Sequence, residues 1–292
     1  MPINELECHP FLNYYEQLNC NKNHFKGLIV GSFPIYSITD SLDENLNIVE
    51  RFNQDEASMK FFYGSNRSNL WRYLSAALYN DDPTELMGNE NLLNNDIKQR
   101  VIDFLFNHNL LVTDTLKQTN RNGTSSLDSD LFIEENANDF ILENISLNYD
   151  IVNLLENNQN IKDIFFTSTQ TDNKSPFGWF SRIFHGSMNI INEHFIDNRC
   201  WAIECMINGK EYNLFLLPTP KPRGIHFTPN QQTLMFSNYI QSTNLDFYNE
   251  IIDLKEYRPN QKIQLSELRN NFLIECYRQA FLHLNLNFNG AI

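Results

Sequence analysis

Four short apolar runs recur along the chain, each bounded by polar or turn-forming residues, at positions 27–30, 110–113, 164–166 and 214–217. Continuous apolar runs, rather than alternating apolar and polar residues, are typical of strands in a parallel sheet that is covered on both faces. Helical patterns lie between the runs, such as the apolar stripe within residues 70–78. The sequence therefore predicts neighbouring parallel strands with helices on both faces of the sheet.

The segments outside these runs predict an edge strand and helical extensions. Residues 200–213 indicate a strand, a turn at Asn208-Gly209 and a return into the fourth run, which predicts an antiparallel edge. The spacing in 264–284 predicts a last helix. Because the chain shows no internal repeat and no linker rich in Pro, Gly or Ser, we expect one domain over 1–292. Its core spans about 26–235, with helical extensions at the N- and C-termini.

The composition indicates an ordinary globular protein. Of its 292 residues, 41% are hydrophobic, enough to bury a large core. No stretch reaches the roughly 18 consecutive apolar residues of a membrane span, and no secretion signal opens the chain, so we expect no membrane partner and a cytoplasmic location. The five cysteines form no Cys-x-x-Cys pair, which argues against a disulfide framework and against a zinc or iron–sulfur site.

The net charge limits the kind of partner that the chain can bind. A formal charge of −14 opposes simple DNA binding, because Lys and Arg supply most of the non-specific affinity for phosphates. A polyanion would have to meet a local basic patch. Basic residues do stand beside the motifs described below, although scattered surface charge explains them equally well.

Polar, turn-forming residues follow each apolar run. In open α/β sheets ligands bind outside the carboxyl ends of the strands, so these residues are expected to converge on one edge. The residues that follow the four runs are, in order, Gly31 to Pro34, Asp114 and Thr115, Thr167 and Ser168, and Pro218 to Pro222. The strand assignment alone thus predicts a site, without indicating what binds there.

The same positions resemble the motifs of the uracil-DNA glycosylase superfamily. Leu28-Ile-Val-Gly-Ser-Phe-Pro34 is similar to its first motif, a strand that ends in Gly-x-x-Pro. Residues 61–71, Phe-Phe-Tyr-Gly-Ser-Asn-Arg-Ser-Asn-Leu-Trp, resemble a stretch of the mismatch-specific and hypoxanthine-specific branches. Leu-Val-Thr-Asp at 111–114, followed by residues 121–130, is similar to the hypoxanthine type. Leu-Pro-Thr-Pro-Lys-Pro at 217–222 resembles the second superfamily motif. The resemblance covers about residues 26–235.

The resemblance implies a three-layer α/β/α sandwich with a short, mainly parallel four-stranded central sheet. It implies a DNA glycosylase of base excision repair, which flips a deaminated or mismatched base such as uracil or hypoxanthine into a pocket and hydrolyses its N-glycosidic bond. No metal or cofactor is needed, and we expect a monomer. The substrate-binding candidates are Gly31, Ser32, Phe33, Pro34, Phe62, Tyr63, Thr167 and Ser168. The DNA-binding candidates are Arg67, Arg121, Pro218, Thr219, Lys221, Arg223 and His226.

The catalytic candidates follow from a departure from the family pattern. Many relatives carry Asp, Asn or Glu within the first motif to activate water, whereas this chain has Ser32 and Phe33 there. The polar group would instead be Ser68 or Asn69, together with Asp114, which we expect to point into one pocket. Asp114 could equally cap a turn. The competing hypotheses are a non-catalytic binding module on the same fold, and an enzyme that hydrolyses a free nucleoside or nucleotide.

Overall fold

The chain forms a mixed α/β structure with two principal sheets. The computed structural model describes residues 3–18, 24–43, 45, 47–66, 68–78, 86, 94–121, 131, 134–135, 140–141, 145–196, 200–220, 231–252, 254 and 256–285. Its strands are β1 (Ile3–Cys8), β2 (Gly27–Gly31), β3 (Asp40–Leu42), β4 (Ile48–Val49), β5 (Leu110–Asp114), β6 (Leu116–Arg121), β7 (Glu134–Glu135), β8 (Phe140–Ile141), β9 (Ser146–Leu147), β10 (Asp163–Phe166), β11 (Met188–Ile196), β12 (Cys200–Ile207) and β13 (Lys210–Leu216).

Helices occupy most of the long connections. They are α1 (Leu70–Leu78), α2 (Asn94–Asn107), α3 (Asp150–Asn157), α4 (Pro176–Ile183), α5 (Gln231–Thr243), α6 (Leu245–Ile251) and α7 (Pro259–Asn285), with short 3₁₀ turns at Tyr14–Gln17 and Tyr36–Ile38. Within the part of the chain that the structure describes, none of these helices combines the length and the apolar character that crossing a bilayer requires.

The larger sheet has six strands in the order β11-β12-β13-β10-β2-β5. The four apolar runs lie in β2, β5, β10 and β13, which pair in parallel as neighbours, as predicted. Strands β12 and β11 extend this sheet in antiparallel fashion. The sheet as a whole therefore has six strands and is mixed, which differs from the mainly parallel four-stranded sheet that the motif resemblance implies. The hairpin between β12 and β13 turns at Asn208 and Gly209, whose φ angles are 50° and 80°. Two successive left-handed residues suit a tight hairpin turn, which confirms the predicted hairpin. The edge of the sheet on this side is β11, however, because it pairs with the other side of β12.

Large aromatic side chains pack against this sheet. Phe165 and Phe166 are successive residues of β10, so their side chains point to opposite faces. The Phe165 ring stacks on Phe281 of α7 with 4.2 Å between centroids, whereas Phe166 meets Phe180 of α4 edge-on at 5.2 Å. Because both rings are fully buried, apolar burial holds β10 between these two helices.

The sequence patterns did not predict the smaller sheet, whose strand order is β4-β3-β1-β6-β9. Its strand β1 pairs antiparallel with β3 and β6. The predicted helical extension at the N-terminus is therefore wrong, since residues 3–8 form a strand; the C-terminal helix is present as α7. Strand β6 starts directly after β5, and this continuity brings the smaller sheet next to the end of β5.

Candidate functional site

The carboxyl ends of β2, β5, β10 and β13 form one edge of the larger sheet, which we call the carboxyl rim. Strand β2 lies between β5 and β10, so the chain leaves it toward one side for β5 and later crosses to the other side for β10. Such a reversal of strand order opens a crevice at the strand ends, where α/β proteins bind ligands. The register places Gly31 directly beside Asp114, and Thr167 follows the last residue of β10.

Asp114 is the carboxylate at the carboxyl rim. The residue is 4% exposed, and its Oδ2 lies 2.9 Å from Nε2 of His9. Its Oδ1 packs so closely over Gly31 that a Cβ added there would lie 2.2 Å from it. Asn148 donates from Nδ2 to the Asp114 carbonyl oxygen at 2.8 Å and thereby holds the backbone at the strand end. The carboxylate thus has one oxygen bound to His9 and the other directed at Gly31.

His9 reaches Asp114 from the smaller sheet, one residue after the end of β1. Its ring is enclosed by aromatic neighbours, with centroid distances of 4.7 Å to Phe11, 5.0 Å to Phe62 and 5.9 Å to Phe33. Burial lowers the pKa of His9, and the hydrogen bond to Asp114 opposes that shift without reversing it. The lowered pKa favours the neutral imidazole at neutral pH.

Tyr63 places a hydroxyl at the same point of the carboxyl rim. Its oxygen lies 2.6 Å from Oγ1 of Thr167, and a Cβ at Gly31 would come within 2.2 Å of it. Tyr63 has a φ of 52°, a left-handed conformation that is uncommon for an aromatic residue. Backbone strain of this kind concentrates at functional sites, because surrounding contacts must maintain it. Gly31 thus provides the gap that admits both the Tyr63 hydroxyl and the Asp114 carboxylate.

Hydrogen bonds to backbone carbonyls hold residues 32–34, which we call the first-motif loop. Leu116 donates its N–H to the Ser32 carbonyl at 3.0 Å, and Arg121 donates from Nη2 to the Pro34 carbonyl at 2.6 Å. The guanidinium also lies 5.8 Å from the centre of the Phe33 ring. Ser32 and Pro34 are buried, whereas Phe33 is half-buried. The loop is consequently fixed in place, and Phe33 retains some exposed surface.

The burial of two side chains, Arg121 and Phe62, contradicts the prediction that they contact DNA or the substrate. Arg121 is 3% exposed, and its Nε donates to Oε1 of Glu7 at 3.1 Å, so it braces the interior and is not a DNA-binding side chain. Phe62 is 1% exposed and packs edge-on against Phe11. Its carbonyl accepts a hydrogen bond from the indole N–H of Trp71. Phe62 therefore belongs to the core and offers no free face on which a base could stack.

Ser68 and Asn69 immediately precede α1, and both form hydrogen bonds with backbone groups. Ser68 Oγ accepts from the N–H of Leu70, and the Asn69 carbonyl accepts from the N–H of Tyr73. Asn69 also donates its N–H to the Pro220 carbonyl at 3.1 Å and its side-chain amide to the Tyr73 hydroxyl at 3.4 Å. Among the hydrogen bonds of the described residues, Asn69 and Asp114 share no partner. The geometry does not support the prediction that they act in one pocket.

The remaining candidates lie at or beyond the loop after β13. Pro218 accepts a hydrogen bond from the Tyr277 hydroxyl at 3.0 Å and is buried, and Thr219 is half-buried. Ser168 is half-buried, and its Oγ accepts from the N–H of Gln170 within its own turn. The other predicted DNA-binding residues, Arg67, Lys221, Arg223 and His226, lie outside the described residues.

Comparisons with protein families, with curated proteins and with solved structures find no match to this chain. Its chemistry must therefore be inferred from the side chains at the carboxyl rim. A buried carboxylate beside two hydroxyls can accept a proton from water or from a substrate hydroxyl and can orient either of them. Within the ranges that the structure describes, no cluster of His, Cys, Asp and Glu is arranged to hold a metal ion.

His9 is the site residue that sequence patterns missed. It lies 105 positions from Asp114, in a segment that was expected to be helical. The available signal is modest: His9 precedes Pro10 and follows Ile3-Asn-Glu-Leu-Glu-Cys8, in which apolar and polar residues partly alternate. Such alternation indicates a strand with one buried face. It does not indicate which residue the strand end would meet.

Proposed function

We propose that this chain hydrolyses an N-glycosidic bond, with a deaminated or mismatched base in DNA, such as uracil or hypoxanthine, as its substrate. The observation that carries the proposal is the placement of Asp114, with Oδ1 packed closely over Gly31, the last residue of the strand at which the strand order reverses. The motif resemblance of residues 28–34, 61–71, 111–114 and 217–222 supports the choice of bond, and the chain order of these motifs matches the superfamily.

The proposed reaction uses Asp114 as the base. A water molecule held by Oδ1 attacks C1′ of the sugar, and its proton passes to the carboxylate. The C1′–N bond breaks, and its electron pair leaves with the nucleobase. The Tyr63 and Thr167 hydroxyls, 2.6 Å apart, supply donors for the departing base or for the sugar. This assignment replaces the acid that many superfamily members carry in the first motif with one at the end of β5.

Phe33 is the stacking surface in this proposal. It lies in the first-motif loop, is half-buried and is held by the Pro34 contact of Arg121. A flipped base needs one apolar face against which to rest, and a ring anchored at its backbone provides such a face at little entropic cost.

The test is base release from oligonucleotides that carry uracil, hypoxanthine or xanthine, opposite each normal base and unpaired. Alkali then reveals abasic sites. We expect release by the parent protein and a loss of about 100-fold or more in Asp114→Asn under single-turnover conditions. The matched control is Asp103→Asn on the exposed surface of α2, where the carboxylate accepts a hydrogen bond from Gln99. Equal losses in both variants would contradict the assignment of Asp114.

A second candidate is hydrolysis of a free nucleoside or nucleotide. It is favoured by the burial of Arg121 in an ion pair, which removes one cation from the predicted DNA-binding patch of an already acidic chain. Release of free base from inosine, xanthosine and uridine, followed by chromatography, distinguishes the two substrates. If neither the oligonucleotides nor the nucleosides lose a base, the non-catalytic binding module becomes the better interpretation.

A further inference from the structure

The two oxygens of Asp114 have different surroundings. Oδ2 lies 2.9 Å from a fully buried His9 nitrogen, whereas Oδ1 lies over Gly31 near the Tyr63 hydroxyl. A carboxylate that is free to rotate would present either oxygen to a water molecule. Here one oxygen is bound from behind by a group that belongs to the other sheet.

The hydrogen bonds of His9 define its tautomer. The backbone N–H of Phe11 points to Nδ1 at 3.4 Å, so Nδ1 acts as the acceptor. Nε2 then carries the proton and donates to Asp114, because a neutral imidazole has one donor and one acceptor. Burial among aromatic rings lowers the pKa of His9, and the charges of Asp114 and Asp40 oppose that shift. The pair is therefore a neutral donor bound to a carboxylate.

We infer that His9 is a positioning residue, whose Nε2–H holds Oδ2 of Asp114 so that Oδ1 alone faces the carboxyl rim. The inference rests on the proposed function, since it assigns Asp114 as the reacting carboxylate. A neutral donor suits this role, because it fixes the orientation of the carboxylate without compensating its charge. Groups that orient metal ligands through a hydrogen bond typically contribute 10- to 100-fold to activity, and we expect an effect of the same order here.

The enclosure of His9 shows that it does not itself touch a substrate. Its side chain is 0% exposed, and the rings of Phe11, Phe33 and Phe62 lie around it. Substitution by Phe preserves an aromatic ring in that enclosure and removes the donor. Substitution by Gln removes the ring and places an amide N–H close to the position of Nε2. The two variants therefore separate hydrogen bonding from packing.

The activity test compares kcat and KM of the parent, His9→Phe and His9→Gln on the best substrate. We expect kcat to fall about 10- to 100-fold in His9→Phe, with KM nearly unchanged, and to recover to within about threefold of the parent in His9→Gln. A purely structural role would depend on the aromatic ring, so it would leave His9→Phe near the parent and lower the activity of His9→Gln. That result would overturn the inference.

A second measurement does not depend on activity. Nitrogen-15 spectra of the imidazole are expected to show a neutral His9 protonated at Nε2 at neutral pH, and to change in Asp114→Ala. A proton on Nδ1, or a spectrum that is insensitive to Asp114→Ala, would overturn the inference even if His9→Phe is poorly folded. Absence of base release in the parent would overturn the proposed function instead. The spectra alone would then test whether His9 donates a hydrogen bond to Asp114.

Discussion

The Tyr63 hydroxyl lies 2.6 Å from Oγ1 of Thr167, and this contact joins the loop before α1 to the end of β10 across the carboxyl rim. Tyr63→Phe removes the hydroxyl and leaves the ring, so we expect a loss of about 1 kcal/mol in the free energy of unfolding, the usual net contribution of a hydrogen bond. Base release is expected to fall at least 10-fold. Urea denaturation and single-turnover assays measure the two effects. Tyr149→Phe, at an exposed ring, is the control and should change neither.

Gly31 tolerates no side chain in this structure. A Cβ there would lie 2.2 Å from both Asp114 Oδ1 and the Tyr63 hydroxyl oxygen. Gly31→Ala is therefore expected to displace both groups and to lower base release about 100-fold or more. The control is Gly209→Ala in the hairpin turn, where φ is 80°. A Cβ added at Gly209 would meet no described neighbouring residue within 4 Å. That change costs about 1 kcal/mol in backbone strain and should leave base release unaffected. Similar activity in the two variants would contradict this account.

The ion pair of Arg121 with Glu7 supports the structure and does not bind phosphates. Both side chains are 2% exposed, so Arg121→Met leaves a buried, unpaired carboxylate, and we expect a loss of about 3–5 kcal/mol in the free energy of unfolding. Glu7→Gln combined with Arg121→Met should recover much of that loss. The salt dependence of DNA binding, if binding occurs, should be the same in the double variant and the parent. A shallower slope in the double variant would return Arg121 to the DNA-binding surface.

Asn69 is expected to stabilise α1 and to have little effect on the reaction. It immediately precedes this helix, and its side chain contacts Tyr73, which in turn donates to Asn270 of α7 at 3.0 Å. Asn69→Ala should lower the free energy of unfolding by about 1 kcal/mol, the usual net contribution of the side-chain hydrogen bond to Tyr73 that it removes. Base release should fall less than in Asp114→Asn. A loss of 100-fold in Asn69→Ala, without a change in melting temperature, would restore the sequence-based assignment of Asn69 to catalysis.

Buried histidines make stability dependent on pH. Burial lowers the pKa of His108, and it also lowers that of His9, below the unfolded value of about 6.5. The unfolded chain therefore binds more protons than the folded protein as the pH falls below about 6.5, so the free energy of unfolding decreases in that range and is fully recovered above it. Urea midpoints between pH 5 and 8 measure this dependence. His108→Gln should flatten part of it.

The sequence by itself determined the four parallel strands, the hairpin at Asn208 and Gly209, and the edge at which Gly31 and Asp114 meet. These features depend on local patterns, because continuous apolar runs and turn-forming residues have their preferred structure whatever lies elsewhere in the chain. Parallel strands also end on the same side, so the residues after them converge without further information.

Only the tertiary structure decided which groups meet Asp114 and which residues face solvent. His9 contacts Asp114 across 105 positions, and Arg121 contacts Glu7 across 114, both through a strand that local patterns did not predict. A hydrogen bond or an ion pair between distant residues depends on the path of the whole chain, which no local pattern contains. For the same reason, a cation that stands beside a motif in the sequence can be buried by a second sheet, where a carboxylate neutralises it.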